Sequence, residues 1–181
     1  MTQTLNASHS SLNGGMETLV KEASTGKQAE RQHARIGHVG LRATNPAASA
    51  EFYRDVFGLE ITGGSASDHP LGETVFLSSR PGEEPHEIAL FANPEFAHIA
   101  FKVSSLSEFR SFHARVVEKN IPIKFVFNHR VSFAFYFDDP DGNMIEVYWP
   151  TGDRSQRQPY AEPFDLSQPD EALLEKITAT P

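Results

Sequence analysis

The sequence predicts an α+β fold, one domain in which a unit of strand, helix and further strands occurs twice and builds a curved sheet covered by helices. Three observations lead there. A short His-containing strand pattern recurs after sixty residues, around His38 and again around His98. Each copy is followed by a helix with recognisable ends, and each helix by further strand candidates with alternating residues. At 181 residues and 39% hydrophobic content, the chain can bury one sizeable core and have its ends left over.

Residues 1–33 are rich in Ser, Asn, Gly, Lys and Gln, with a weak helical pattern at Met16, Leu19, Val20 and Ala23. They are expected to form a flexible arm, docking on a neighbouring subunit. The domain is expected over residues 34–150, as modules 34–93 and 94–150. Residues 35–42 read as the first strand. Asn45 caps a helix with Pro46 at its first position; Phe52, Tyr53, Val56 and Phe57 ride on it and Gly58 closes it. Residues 73–79 and 87–91 follow as strands, after a loop at 63–72. In the second module residues 96–103 form the strand. Ser105 and Glu108 make a capping box, and Leu106, Phe109, Phe112 and Val116 recur at helical spacing. Residues 123–128, 131–137 and 144–149 are the remaining strands, the last two joined by a tight turn at 138–143. The C-terminal segment, 151–181, is polar and Pro-rich and is expected to lie over the domain as a tail, with one short helix at 170–177.

A net charge of −8 argues against nucleic acid or an anionic membrane as partner, since both attract clustered Lys and Arg. With no cysteine there is no disulfide and no thiolate site, so any metal must be held by nitrogen and oxygen. An apolar signal region and a run of about 18 apolar residues are both missing from the sequence, and a cytoplasmic protein acting on small molecules is the expectation.

Strand side chains alternate between faces. His38 opposes Val39 and Leu41, His98 opposes Ile99, Phe101 and Val103, and Glu146 opposes Ile145, Val147 and Trp149. Each strand thus sets an apolar face against a face with one metal-capable residue. Singly, a strand histidine or glutamate reads as structural or solvent-facing. Together, two imidazoles and a carboxylate offer a divalent metal three ligands and leave open positions, the pattern of non-haem Fe(II) oxygenases. Zinc, manganese and nickel fit the same donors.

These residues, with Gly37-His38-Val39, the run from Phe52 to Leu59, His86-Glu87-Ile88-Ala89-Leu90-Phe91, Ala97-His98-Ile99-Ala100-Phe101 and Asp139-Pro140-Asp141-Gly142-Asn143-Met144-Ile145-Glu146, resemble the vicinal oxygen chelate superfamily. Within it the chain is most similar to one-domain type I extradiol catechol dioxygenases, over about residues 35–165. The resemblance implies two βαβββ modules forming a cupped mixed sheet around a metal. It implies Fe(II), with Mn(II) as a substitute, on His38, His98 and Glu146. It also implies a catechol-type diol and O2 as substrates, aromatic catabolism as the setting, and a homo-oligomer. His86 would be an acid–base histidine, and Tyr136 would hydrogen-bond near the substrate. His129 resembles a substrate-contacting histidine but stands about two residues closer to Tyr136 than in the family. Strict alternation opposes His86 to Ala89, so a cavity-facing ring requires the strand to begin after it or to bulge.

Two relatives of the same superfamily offer alternatives. Glyoxalases take a fourth ligand where Ala89 stands, and alanine cannot ligate. Thiol transferases of the fosfomycin-resistance type share the triad and need cations for an anionic substrate, for which Arg42 and Lys102 lie on the ligand faces. His69 and His113 are expected at the surface without partners.

Overall fold

A computed structural model describes residues 33–153 and 159–178; the expected arm and its helical pattern lie outside the described residues. The elements run β1 (Arg35–Arg42), α1 (Pro46–Phe57), β2 (Glu60–Ser65), β3 (Thr74–Ser78), β4 (Ile88–Phe91), a 3-10 turn (Pro94–Phe96), β5 (His98–Lys102), α2 (Leu106–Glu118), β6 (Phe125–Asn128), β7 (Ser132–Asp138), β8 (Met144–Pro150), β9 (Glu162–Pro163) and α3 (Asp170–Thr178).

The helix ends form as local chemistry dictates. The Asn45 side chain accepts from the Ala48 amide at 2.9 Å, Pro46 follows, and Gly58 closes α1 in the left-handed region at φ 69°. For α2, Ser105 Oγ accepts from the Glu108 amide at 3.1 Å, and the Glu108 carboxylate reaches back to the Ser104 amide at 2.7 Å.

All nine strands join one mixed sheet in the order β2-β3-β4-β1-β5-β8-β7-β6-β9. The first eight read symmetrically from the centre. β1 and β5 pair antiparallel there, each has a parallel neighbour (β4 and β8), and the remaining strands continue outward antiparallel. The chain therefore folds as two βαβββ modules of the α+β class, related across the β1–β5 seam. Helix α2 covers the second module, burying Phe109 against Phe133, Phe135 and Val147, while α1 covers the first with Ala50 over Leu77 and Leu90. Dry aromatic and aliphatic surface of this kind stabilises a sheet by about 25 cal/mol per Å² removed from water.

Four local features differ from the sequence reading. Residues 60–65 form a strand, although its Gly63 and Gly64 resemble a loop. At Gly64 the backbone of β3 comes so close that an added Cβ would stand 2.2 Å from the Thr74 carbonyl oxygen, so the glycine permits the pairing that its composition disguises. The second histidine strand begins at His98, because Pro94–Phe96 closes a 3-10 turn first. Phe52, Val56 and Phe57 of α1 face outward, at 55%, 57% and 62% exposure, and the helix buries its small residues instead. The C-terminal segment supplies an edge strand, β9, and two core side chains, Leu166 and Leu173.

Candidate metal centre

Register sets the site. On the central seam His38 pairs with Ala100 and Gly40 with His98, so the two histidines stand diagonally across β1 and β5 on one face. In the parallel neighbour, Ala100 pairs with Glu146, which brings the carboxylate beside them. The equivalent pair in the first module is Gly40 with Ala89. Ala89 is thus the counterpart of Glu146, and it has no donor to offer.

His38 Nε2, His98 Nε2 and Glu146 Oε2 form a triangle with sides of 3.1, 3.2 and 3.0 Å. Three donors about 2.1 Å from one ion and mutually at right angles stand about 3.0 Å apart, so these residues fit a facial set on an octahedral divalent metal. Among the described residues, this is the group of His and carboxylate side chains gathered closely enough to share an ion. His98 Nδ1 donates to the Phe96 carbonyl at 2.6 Å, which leaves the Nε2 lone pair for the triangle and holds the ring in place. Burial acts upward on the Glu146 carboxyl, but the two imidazoles outweigh it and hold the group well below the usual carboxylate range.

Three further polar side chains line the cavity above the triangle. His86 lies just before β4, not within it, so alternation does not apply. Its ring stacks on Phe76 at 4.7 Å and meets the His38 ring at 4.3 Å. Burial pushes His86 well below the ordinary histidine value, and the neighbouring His38 ring acts in the same direction, favouring the neutral ring. Tyr136 sits on β7 directly opposite Glu146, and burial together with that carboxylate keeps its hydroxyl protonated. His129, in the turn after β6, places Nε2 2.9 Å from the Tyr136 hydroxyl and directs Nδ1 to the Tyr160 carbonyl. The short spacing from His129 to Tyr136 therefore still brings the two side chains together.

The cavity also includes Phe76, Phe91, Leu71, Thr62, Pro159 and Tyr160, which the sequence reading did not single out. Phe76 was accessible to it: it precedes Tyr136 by the same sixty residues that separate the histidines, and it faces Ala89 as Tyr136 faces Glu146. Tyr160 had no comparable signal. Three expectations need correction. Lys102 is no free cation, because its ammonium pairs with Glu84. His113 packs edge-on against the Phe135 ring at 5.2 Å, and His69 accepts from the Leu71 amide at 3.2 Å, so neither lacks a partner. Among the described residues no helix is long and apolar enough to cross a membrane.

Residues 35–147 match the family described as the Glyoxalase/Bleomycin resistance protein/Dioxygenase superfamily, a match over more than half of the chain. Among curated relatives, the chain is 28% identical to biphenyl-2,3-diol 1,2-dioxygenase 3 of Rhodococcus globerulus over 125 residues, 62% of each protein. It is 28% identical to metallothiol transferase FosB of Shouchella clausii (strain KSM-K16) over 134 residues, 70% of this chain and 86% of that one. The 2,3-dioxygenase LapB from Pseudomonas sp. KL28 shares the fold with a TM-score of 0.56 at 20% identity, over 72% of this chain and 46% of LapB. The chain thus spans less than two thirds of either dioxygenase.

Proposed function

This chain belongs to the Glyoxalase/Bleomycin resistance protein/Dioxygenase superfamily, and we propose that it cleaves the ring of a catechol-type aromatic diol with O2, beside the hydroxyl pair, as an extradiol dioxygenase of aromatic catabolism. The observation that carries this reading is the triangle of His38, His98 and Glu146 with Ala89 at the fourth, equivalent position. Three protein donors with one charge among them leave an ion room for both diol oxygens and for O2. When bound, Fe(II) supplies the one-electron chemistry with O2 that no side chain provides, and Mn(II) fits the same donors.

The protein's own groups do the rest. His86, neutral and within the cavity, takes a proton from one diol hydroxyl and returns it later in the reaction. Tyr136 and His129 meet the diol from the opposite side as a hydrogen-bonded pair. Phe76, Phe91 and Leu71 present apolar surface to the aromatic ring and exclude water from the reacting face.

The likeness to biphenyl-2,3-diol 1,2-dioxygenase 3 supports this reading. The likeness to metallothiol transferase FosB supports a second one, a metal-dependent thiol transferase of the fosfomycin-resistance type. The neutralisation of Lys102 by Glu84 weighs against that alternative, and Ala89 weighs against a glyoxalase-like lyase. The test is to load the protein with Fe(II) without air, then add a panel of catechols in an oxygen electrode. Oxygen uptake with a yellow ring-fission product is expected. No uptake with any diol, together with glutathione-dependent loss of fosfomycin, would replace the dioxygenase with the transferase.

A further inference from the structure

The turn between β6 and β7 carries His129 and Arg130. Arg130 has φ 64°, in the left-handed region that a long side chain rarely adopts. Such a backbone persists where its surroundings over-determine it, and here they do. The buried Asn128 side chain accepts from the Arg130 amide at 2.7 Å, the Thr151 hydroxyl donates to the Arg130 carbonyl, and the His129 amide donates to the Ser132 carbonyl at 2.8 Å. Glycine would adopt this turn with less strain. What arginine adds is its side chain.

The Arg130 guanidinium lies over the Tyr160 ring, 4.1 Å from its centre, while its buried Nε has no hydrogen-bond partner among the described residues. It therefore holds Tyr160 through its planar face, as a cation over an aromatic ring. The Tyr160 hydroxyl donates to Glu162 Oε2 at 3.0 Å, and Glu162 pairs with Asn128 across β9 and β6. Tyr160 is thus gripped at ring and hydroxyl, and its main-chain carbonyl is the partner of His129 Nδ1. A carbonyl has no proton to give, so Nδ1 carries it. In the neutral ring Nε2 then accepts. The Tyr136 hydroxyl gives its one proton to Nε2 in preference to the Glu146 carboxylate beside it, since two lone pairs would otherwise meet at 2.9 Å.

We propose that Arg130 and Tyr160 are positioning residues: their stacked pair holds the Tyr160 carbonyl where it fixes His129 as the Nδ1–H tautomer, which makes Tyr136 donate to His129 and present its oxygen to the cavity as an acceptor. The ligand that suits such a cavity keeps a proton on the oxygen facing Tyr136, as a singly ionised diol does. This last step rests on the function proposed above; the order of the hydrogen bonds does not.

The test uses the full chain with 15N-labelled histidine, loaded with Zn(II), and long-range 1H–15N correlation NMR to assign the His129 tautomer. Wild type is expected to show a protonated Nδ1 and a bare Nε2. Arg130→Gly, which suits the backbone, should turn His129 into a mixture of tautomers while the metal content stays the same. In the Fe(II)-loaded enzyme, Arg130→Gly should lower kcat/KM for the diol roughly tenfold, the lower end for loss of a group that orients a site residue, and Arg130→Lys should recover part of it. An Nε2–H tautomer in wild type, an unchanged tautomer in Arg130→Gly, or an unchanged kcat/KM would each overturn the proposal. If wild type cleaves no diol, the dioxygenase reading falls, and the tautomer comparison still decides this one.

Discussion

Adding one methyl group behind a ligand should loosen the metal without touching any donor atom. Gly40 pairs with His98 across the central seam, and a Cβ built there would stand 2.7 Å from His98 Nδ1, 2.8 Å from its Cε1 and 3.0 Å from Phe91 Cε2. Heavy atoms in ordinary contact keep about 3.5 Å or more, so in Gly40→Ala the imidazole must retreat by about 0.7 Å. The retreat stretches the 2.6 Å hydrogen bond to Phe96 and spreads the ligand triangle. A site tolerates about 0.5 Å of misplacement, and loss of a hydrogen bond that orients a metal ligand costs roughly 10–100-fold in affinity. Gly40→Ala should therefore weaken divalent metal binding by about 1.4–2.7 kcal/mol. Titration of the metal-free protein against a chromophoric chelator reads this directly, with circular dichroism to check the fold. A dissociation constant within about twofold of wild type would refute the claim that His98 is pinned from behind.

Replacing a donor should act more severely than displacing one. His98→Ala leaves two donors of the triangle, and purified protein should hold well under one metal ion per chain where wild type holds about one; elemental analysis decides. His86→Phe keeps a ring against Phe76 and removes the proton carrier, so turnover should fall by about 100-fold or more with metal content unchanged. Equal losses of metal and turnover would make His86 a structural neighbour of His38 instead. Glu87 provides a pH-dependent case outside the cavity. Burial acts upward on its carboxyl, but the Ser79 amide at 2.6 Å, the Ser79 hydroxyl and Arg80 Nη2 at 2.7 Å outweigh it and bring it down to about 2. A depressed folded-state value means that the stabilisation is complete above the unfolded value near 4.5 and fades as pH falls toward 2. Allowing for the half-exposed Arg80, Glu87→Gln should cost about 2 kcal/mol at pH 7 in urea unfolding and less at pH 3. A cost that is the same at both values would place the loss in packing.

The parts of the site that were legible in the sequence are those written as pattern on strands. His38, His98 and Glu146 each oppose an apolar strand face, and alternation alone assigns them to one side of the sheet. What alternation cannot show is contact made by chain that follows no period. Alternation opposes His86 to Ala89, and the resemblance alone names it; its ring reaches the cavity because β4 begins only at Ile88, the first of the two conditions that the sequence reading sets. The strand at 60–65 is not legible, and its last three residues fall in the loop expected at 63–72, because two glycines permit a close strand pairing while lowering strand propensity. On α1, Phe52 and Phe57 face outward while Ala50 and Tyr53 meet the sheet, a division that the helical pattern does not give. Tyr160 reaches the cavity from beyond the last predicted strand, and only the β6–β9 pairing reveals why.

The two modules also suggest how one site arises from a duplicated unit. Across the seam, positions 38 and 98 are equivalent, as are 76 and 136, and 89 and 146. The first pair is His in both copies. The others differ, apolar Phe76 and Ala89 in one module against polar Tyr136 and Glu146 in the other, so the cavity has a dry side and a hydrogen-bonding side. Ala89→Glu tests whether that asymmetry keeps the metal open. The position is fully buried, and an unpaired carboxylate there should destabilise the metal-free protein by several kcal/mol. Bound to the same ion as Glu146, the new carboxylate would be compensated, so added Mn(II) or Zn(II) should raise the variant's melting temperature more than it raises that of wild type. With a fourth protein donor in place, oxygen uptake with catechols should disappear. A variant that gains no more from metal than wild type, or that still consumes oxygen, would mean that Ala89 does not mirror Glu146 and that the open coordination has another origin.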